Sequence, residues 1–262
     1  FELCAPSVSL PTTGDRYKTS RVIYQPTTWT QYPLPDGIVF SSPDDLALNT
    51  DDAMFDAETH IIEARWDITE NLRMNYIFGS FETEETIVSN WTAEEPMLFG
   101  TDRPAEYEQQ SHELRFTYDA GGPLKLVAGV YDWQSEYDIR LRSWITFAVP
   151  GLVLDIPQYT HQETDSQAAF FEADYAFNDK WTLTLGGRYT KDEKMTRQRG
   201  NLPADAEADW SEFTPKVGLR YRINDDAMLY ATFSEGYRSG GFNGRVDSFE
   251  SATIPYNPEF LE

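Results

Sequence analysis

A single cysteine, Cys4, among 262 residues leaves no partner for an internal disulfide and no thiolate set for a cysteine-held metal. No apolar run of about 18 residues occurs, so the chain encodes no transmembrane helix, and a place in a membrane would have to be filled by strands. Basic residues are scarce: 21 Lys and Arg against 44 Asp and Glu give a formal charge of -23. That balance argues against a nucleic-acid partner, because phosphate binding needs clustered Lys and Arg. The opening FELCAPSVSLPTTGD lacks the basic start and apolar core of a signal peptide. His60, His112 and His161 stand far apart without metal-ligand spacing. With no Gly-x-Ser-x-Gly elbow, phosphate loop or dinucleotide fingerprint either, no enzyme activity, catalytic residue, cofactor or resident metal is expected.

What the chain does have is alternation. Aromatic residues make up 15% of it while the mean hydropathy stays at -0.54, a pairing that suits strands with one apolar and one wetted face. From residue 58 onward one unit recurs four times: an alternating strand, a short polar turn, a second alternating strand and a long polar stretch. In the first, Ile62, Ala64, Trp66 and Ile68 oppose Glu63, Arg65 and Asp67, and Leu72, Met74, Tyr76 and Phe78 continue the apolar face after the turn. The second pairs 111–118 with 124–133, its return strand reading as mixed on both faces.

The third unit is the clearest. Phe171, Ala173 and Tyr175 face away from Phe170, Glu172 and Asp174, and after Asn178 the residues Trp181, Leu183, Leu185 and Tyr189 oppose Thr182, Thr184 and Arg188. The fourth sets Val217, Leu219 and Tyr221 against Lys216, Gly218 and Arg220. Period-two alternation over about ten residues, with charge on the second face, is what a wall between lipid and water requires. Short turns on one side and polar loops of about 15 to 30 residues on the other match a membrane barrel better than a soluble sandwich. Trp66, Tyr118, Trp133, Phe177, Trp181, Tyr189, Trp210 and Tyr221 gather near strand ends, as interfacial girdles do.

Residues 1–57, rich in Pro, Thr and Asp, read as one long extracellular loop truncated at its start, and 58–262 as a partial transmembrane β-barrel domain. The apolar run WITFAVPGLVLDIP within Arg140–Gln162 is too short to span a bilayer as a helix and reads as loop packing, a buried lid or a strand extension. The carboxylate runs Glu82–Glu85, Glu94–Glu95 and Asp205–Asp209 read as solvated surface. Gly236, Gly240, Gly241 and Gly244 mark either a bend toward ligand or a loop visiting positive φ. Beside them Tyr237, Arg238 and Asn243 offer an aromatic face, a fixed cation and an amide, a set suited either to structural hydrogen bonding with adjacent strands or to an anionic or polyhydroxylated ligand.

Four segments in order carry a family resemblance: QQSHELRFTYDAGGPLKLVAGVYDW (109–133), FFEADYAFNDKWTLTLGGRYTKDEK (170–194), FTPKVGLRYRINDDAMLYATFSEGYRSGGFNGR (213–245) and YNPEFLE (256–262). Together they resemble TonB-dependent outer-membrane receptors. The resemblance implies an all-β fold, an incomplete antiparallel transmembrane barrel with about eight strands of a total near 22. A plug domain and a TonB-binding segment would lie outside this chain. The implied setting is the bacterial outer membrane and its lipid. The implied work is uptake of a scarce nutrient (ferric siderophore, cobalamin or glycan) with TonB-supplied energy. A passive porin-like barrel and a soluble all-β binding or adhesion module remain as alternatives.

Overall fold

A computed structural model describes residues 53–90, 99–146, 153–200, 202–245 and 248–261. Most of the loop expected over 1–57, with Cys4, lies outside them, as do Glu94 and Glu95. Eight strands form one antiparallel meander: β1 (Ala53–Thr69), β2 (Leu72–Asn90), β3 (Phe99–Asp119), β4 (Leu124–Thr146), β5 (Val153–Ala176), β6 (Trp181–Gly200), β7 (Ala204–Arg222) and β8 (Met228–Ser234). A short β9 (Gly236–Arg238), a one-turn helix α1 (Phe249–Thr253) and β10 (Glu259–Leu261), which pairs with β9, complete the described chain. Among the described residues β1 pairs only with β2 and β8 only with β7, so the sheet is open rather than a closed eight-stranded barrel.

The short turns are built by side chains standing in for backbone acceptors. Thr69 Oγ1 accepts from the amides of Asn71 and Leu72. Asp119 Oδ1 accepts from Gly121, whose φ of 71° suits glycine. Asn178 Oδ1 takes Lys180 and Trp181, and Asn224 Oδ1 takes Asp226. Such local caps satisfy amides that the ladder cannot reach, and they fix where each hairpin reverses.

Register then sorts the faces. The pairs Trp66↔Met74, Met74↔Phe116, Phe116↔Ala128, Ala128↔Phe171, Leu185↔Val217 and Val217↔Phe233 place every apolar set on one side of the sheet. Phe171, Leu185, Val217 and Phe233 are each more than 40% exposed there, a continuous apolar surface that water would not tolerate. In β4, Leu124, Leu126, Ala128 and Val130 join this face opposite Tyr175, Ala173, Phe171 and Ala169, while the other face stays mixed, with Val127, Tyr131 and Trp133 beside Lys125. Glu172, Arg188, Lys216 and Arg220 share the other face, where Lys216 Nζ lies 2.6 Å from Glu172 Oε2 and the Arg188 guanidinium sits over the rings of Tyr131 and Phe170 at 5.4 and 5.9 Å.

The expected long loops are largely strand. β4 and β5 have 23 and 24 residues, whereas crossing a bilayer takes about 9–11. The excess, a dozen or so residues at about 3.3 Å each, projects roughly 40 Å beyond the apolar band. Much of 140–162 and of 82–110 therefore extends β2 to β5, and the strand-extension reading of the apolar run holds for its described residues. Alternation fades in these extensions because polar residues occupy both faces, as in the succession Thr160, His161, Gln162, yet the backbone ladder continues regardless of side-chain polarity.

Candidate functional site

β8 is only seven residues long and leaves the far half of β7 paired, among the described residues, with β6 alone. Pairing stops where Glu235 N donates to the carbonyl of Pro215, a residue with no N–H to extend the ladder. Beyond β9 the chain turns onto the polar face of β5 to β7 and lies across it. Its coil carbonyls lack ladder donors, and the strands supply them: Gln162 Nε2 donates to Phe242 O at 3.3 Å, Gln198 Nε2 to Asn243 O at 3.3 Å, and Thr160 Oγ1 contacts Gly244 O at 2.9 Å and Gln198 Oε1 at 2.6 Å. This explains why Thr160, Thr196 and Gln198 are at most 1% exposed although polar.

Glycine matters here through close approach. A Cβ on Gly240 would stand 2.4 Å from Tyr256 O and 2.7 Å from the Trp210 indole, and one on Gly241 would meet the Tyr256 ring. None of Gly236, Gly240, Gly241 and Gly244 has positive φ, so the positive-φ reading of that cluster does not hold, while the chain does bend here onto the polar face. Trp210 itself, with Lys194 Nζ 5.9 Å from its ring, lies on the polar face. Trp133 does too, donating from Nε1 to Gln109. These two leave the girdle, whereas Trp66, Tyr118, Phe177, Trp181, Tyr189 and Tyr221 stay on the apolar side, Trp181 packing on Tyr221 at 4.4 Å. The end of the segment is pinned by α1, capped reciprocally by Ser248 and Ser251, whose Ala252 is fully buried near Ala204.

The three residues singled out as ligand contacts are not gathered at one point. Tyr237 packs against Phe260 at 5.8 Å and turns toward the carboxylates of Asp192 and Glu212. Arg238, its strand neighbour, holds an exposed guanidinium 3.5 Å from Glu259 Oε2. Asn243 donates from Nδ2 to Ser251 O at 3.4 Å. Arg238 and Asn243 each have a polar protein partner and stay exposed, whereas the Tyr237 hydroxyl is buried without a hydrogen bond among the described residues.

A second cluster was not legible in the sequence. On the strand extensions, Asp138 stands directly across from His161 and Glu136 across from Glu163. His161 Nδ1 lies 3.2 Å from Asp138 Oδ1 and 3.6 Å from Glu136 Oε1, while Nε2 lies 2.8 Å from Glu163 Oε1. The Tyr159 hydroxyl donates to Asp138 Oδ1. Burial of His161 disfavours its charge, but Glu163, Asp138 and Glu136 outweigh that, so its pKa is raised. Burial together with the Asp138 carboxylate likewise raises the Tyr159 pKa. Ligands from two strands 23 residues apart have no motif spacing; only the hairpin register, carried past the apolar band, would have brought them together.

Comparison with known proteins completes the description. The family described as "TonB dependent receptor-like, beta-barrel" matches residues 6–260. The Metal-pseudopaline receptor CntO of Pseudomonas aeruginosa (strain UCBPP-PA14) is 28% identical over 86 residues, 31% of this chain and 12% of the relative. Among solved structures, the ferric yersiniabactin uptake receptor FyuA from Yersinia pestis superposes with a TM-score of 0.67 at 15% identity, covering 79% of this chain and 32% of that one. The siderophore receptor PiuA from Acinetobacter baumannii gives 0.57 at 13% identity over 79% and 36%. The chain thus spans about a third of the length of the solved receptors it matches.

Proposed function

Because this chain belongs to the TonB-dependent receptor β-barrel family, we propose that it forms about a third of the wall of an outer-membrane receptor that captures a scarce nutrient, of the ferric siderophore class, and imports it with TonB-supplied energy. One observation supports this most: a continuous apolar face backed by a charged face on the same eight strands. In this reading the apolar face meets lipid and the polar face lines a lumen. Further strands pair with the free edges of β1 and β8 to bring the total near 22, and a plug with the TonB-binding segment lies elsewhere in the full protein.

Ligand recognition is assigned to the lumen and the strand extensions. Arg238 is the leading contact. Its exposed ion pair with Glu259 is of a kind worth little in water, so an anionic ligand can displace Glu259 and take the guanidinium's fixed donors. Tyr237 and Asn243 flank it with an aromatic face and an amide. A segment lying across the polar face narrows the lumen, which favours gated import over an open pore.

The test is titration of the detergent-purified full-length receptor with ferric siderophores of hydroxamate, catecholate and carboxylate type, and with cobalamin and a glycan, followed by tryptophan quenching. Saturable binding of one class, with cellular uptake lost when TonB is removed, is the expected outcome. Steady ohmic conductance in planar bilayers with no saturable ligand would establish the passive pore instead.

A further inference from the structure

On the apolar-side face of the strand extensions, about 25 Å along β5 from Ala169, the Glu136–Asp138–His161 cluster has the form of an inner-sphere metal site. We propose that Glu136, Asp138 and His161 Nδ1 bind one first-row divalent cation of the zinc type, oriented by Glu163 and Tyr159, and that the ion clips β4 to β5 outside the membrane.

Three features carry this. First, the donor atoms of the three residues lie within 4.8 Å of one another, and the two measured edges from Nδ1, 3.2 and 3.6 Å, bracket the ligand-to-ligand edge of about 3.3 Å in a tetrahedral shell with bonds near 2.0–2.1 Å. One nitrogen and two carboxylate oxygens leave a fourth position for water. Second, the other ring nitrogen is already engaged: Nε2 faces Glu163 at 2.8 Å. A carboxylate on the distal nitrogen fixes the tautomer that turns the Nδ1 lone pair toward the ion, the usual support of a metal-bound histidine. The Tyr159 hydroxyl on Asp138 restrains one carboxylate ligand in the same manner. Third, two carboxylate oxygens converge on one imidazole nitrogen, an arrangement that needs positive charge between them. The ion supplies that charge and takes the Nδ1 lone pair as its third donor.

The surrounding charges fit a single cation. Arg140 on β4 is drawn off by Glu106 at 3.0 Å. Arg197 stands across from His161 on β6, and Arg199, opposite Tyr159, pairs with Asp205. The site's place also separates it from cargo. His161 shares its face with Phe171 and Tyr175, whereas its neighbours Thr160 and Gln162 hold the segment on the polar face. An ion at His161 is therefore off the lumen and off the import route.

The experiment uses the full-length receptor in detergent, stripped with EDTA and titrated with Co2+ and then Zn2+. One equivalent of Co2+ should give the visible absorption of a four-coordinate site, displaced by Zn2+. His161→Ala should abolish the signal, Glu136→Gln should weaken binding by at least tenfold, and Glu163→Gln by about tenfold through lost orientation. His60→Ala, at an exposed histidine elsewhere, should change nothing. Absence of the Co2+ band in the wild type, or its survival in both His161→Ala and Glu136→Gln, overturns the proposal. Ligand binding unchanged in His161→Ala agrees with a site off the lumen. A failed transport reading leaves this result standing, because the readout is metal absorption and not uptake.

Discussion

His161 shows how one side chain gains meaning from its register. The unfolded imidazole titrates near 6.5, and in the fold its pKa is raised, burial being outweighed by Glu163, Asp138 and Glu136. A raised pKa means the charged form is the one the fold favours. Its stabilisation is therefore fully present below about pH 6.5 and is lost as pH rises through the folded value. In chelator, where no ion can substitute, amide exchange at Asp138 and His161 should speed up, after correction for intrinsic rates, as pH is raised above about 6.5 through the raised folded value. His161→Gln should flatten that profile. A wild-type profile already flat would mean that the imidazolium contributes nothing to the pairing of β4 with β5.

At the scale of the strand, alternation makes a sharp prediction because a slip of one residue exchanges the two faces. In the full-length receptor, Arg188→Cys and Lys216→Cys should react with a water-soluble thiol reagent, and Leu183→Cys and Leu219→Cys should be protected by lipid. The reverse pattern would place the register one residue off. Leu185→Lys, on the apolar face opposite Ala173 and Val217, should destabilise the barrel by about 2–4 kcal/mol near the midplane, read from the urea midpoint of refolding into vesicles. Lys on the far half of β6 at Glu193 should cost far less, since that residue lies on the extension beside Asp165 and Asp209.

For the whole molecule the open sheet is decisive. β1 and β8 each leave one edge of N–H and C=O groups without a partner in the described sheet, and every such group costs several kcal/mol in hydrocarbon. The 262-residue chain expressed alone should consequently aggregate or insert as a misassembled species, and the full-length receptor should run as a heat-modifiable barrel. Gel mobility with and without boiling, together with sedimentation, distinguishes these outcomes. A monodisperse 262-residue species that unfolds cooperatively without detergent would favour the soluble β-module.

Sequence alone determined the strands that alternate, the turns that join them and the face each side chain takes within the apolar band, because period-two burial against lipid is written residue by residue, as Phe171 to Tyr175 and Trp181 to Tyr189 show. It also carried the family, through four segments in order, now matched over 6–260. It did not yield the length of β2 to β5, because strands with polar residues on both faces lose the alternation that marks them. Nor did it show that Trp210 and Trp133 turn away from the girdle, that Gly240 is small to admit an indole, or that His161 meets Glu136 and Asp138. Those facts depend on which strand lies beside which and in what register, and on a coil segment folding back over the polar face. Long-range pairing decides both, and no local pattern encodes it.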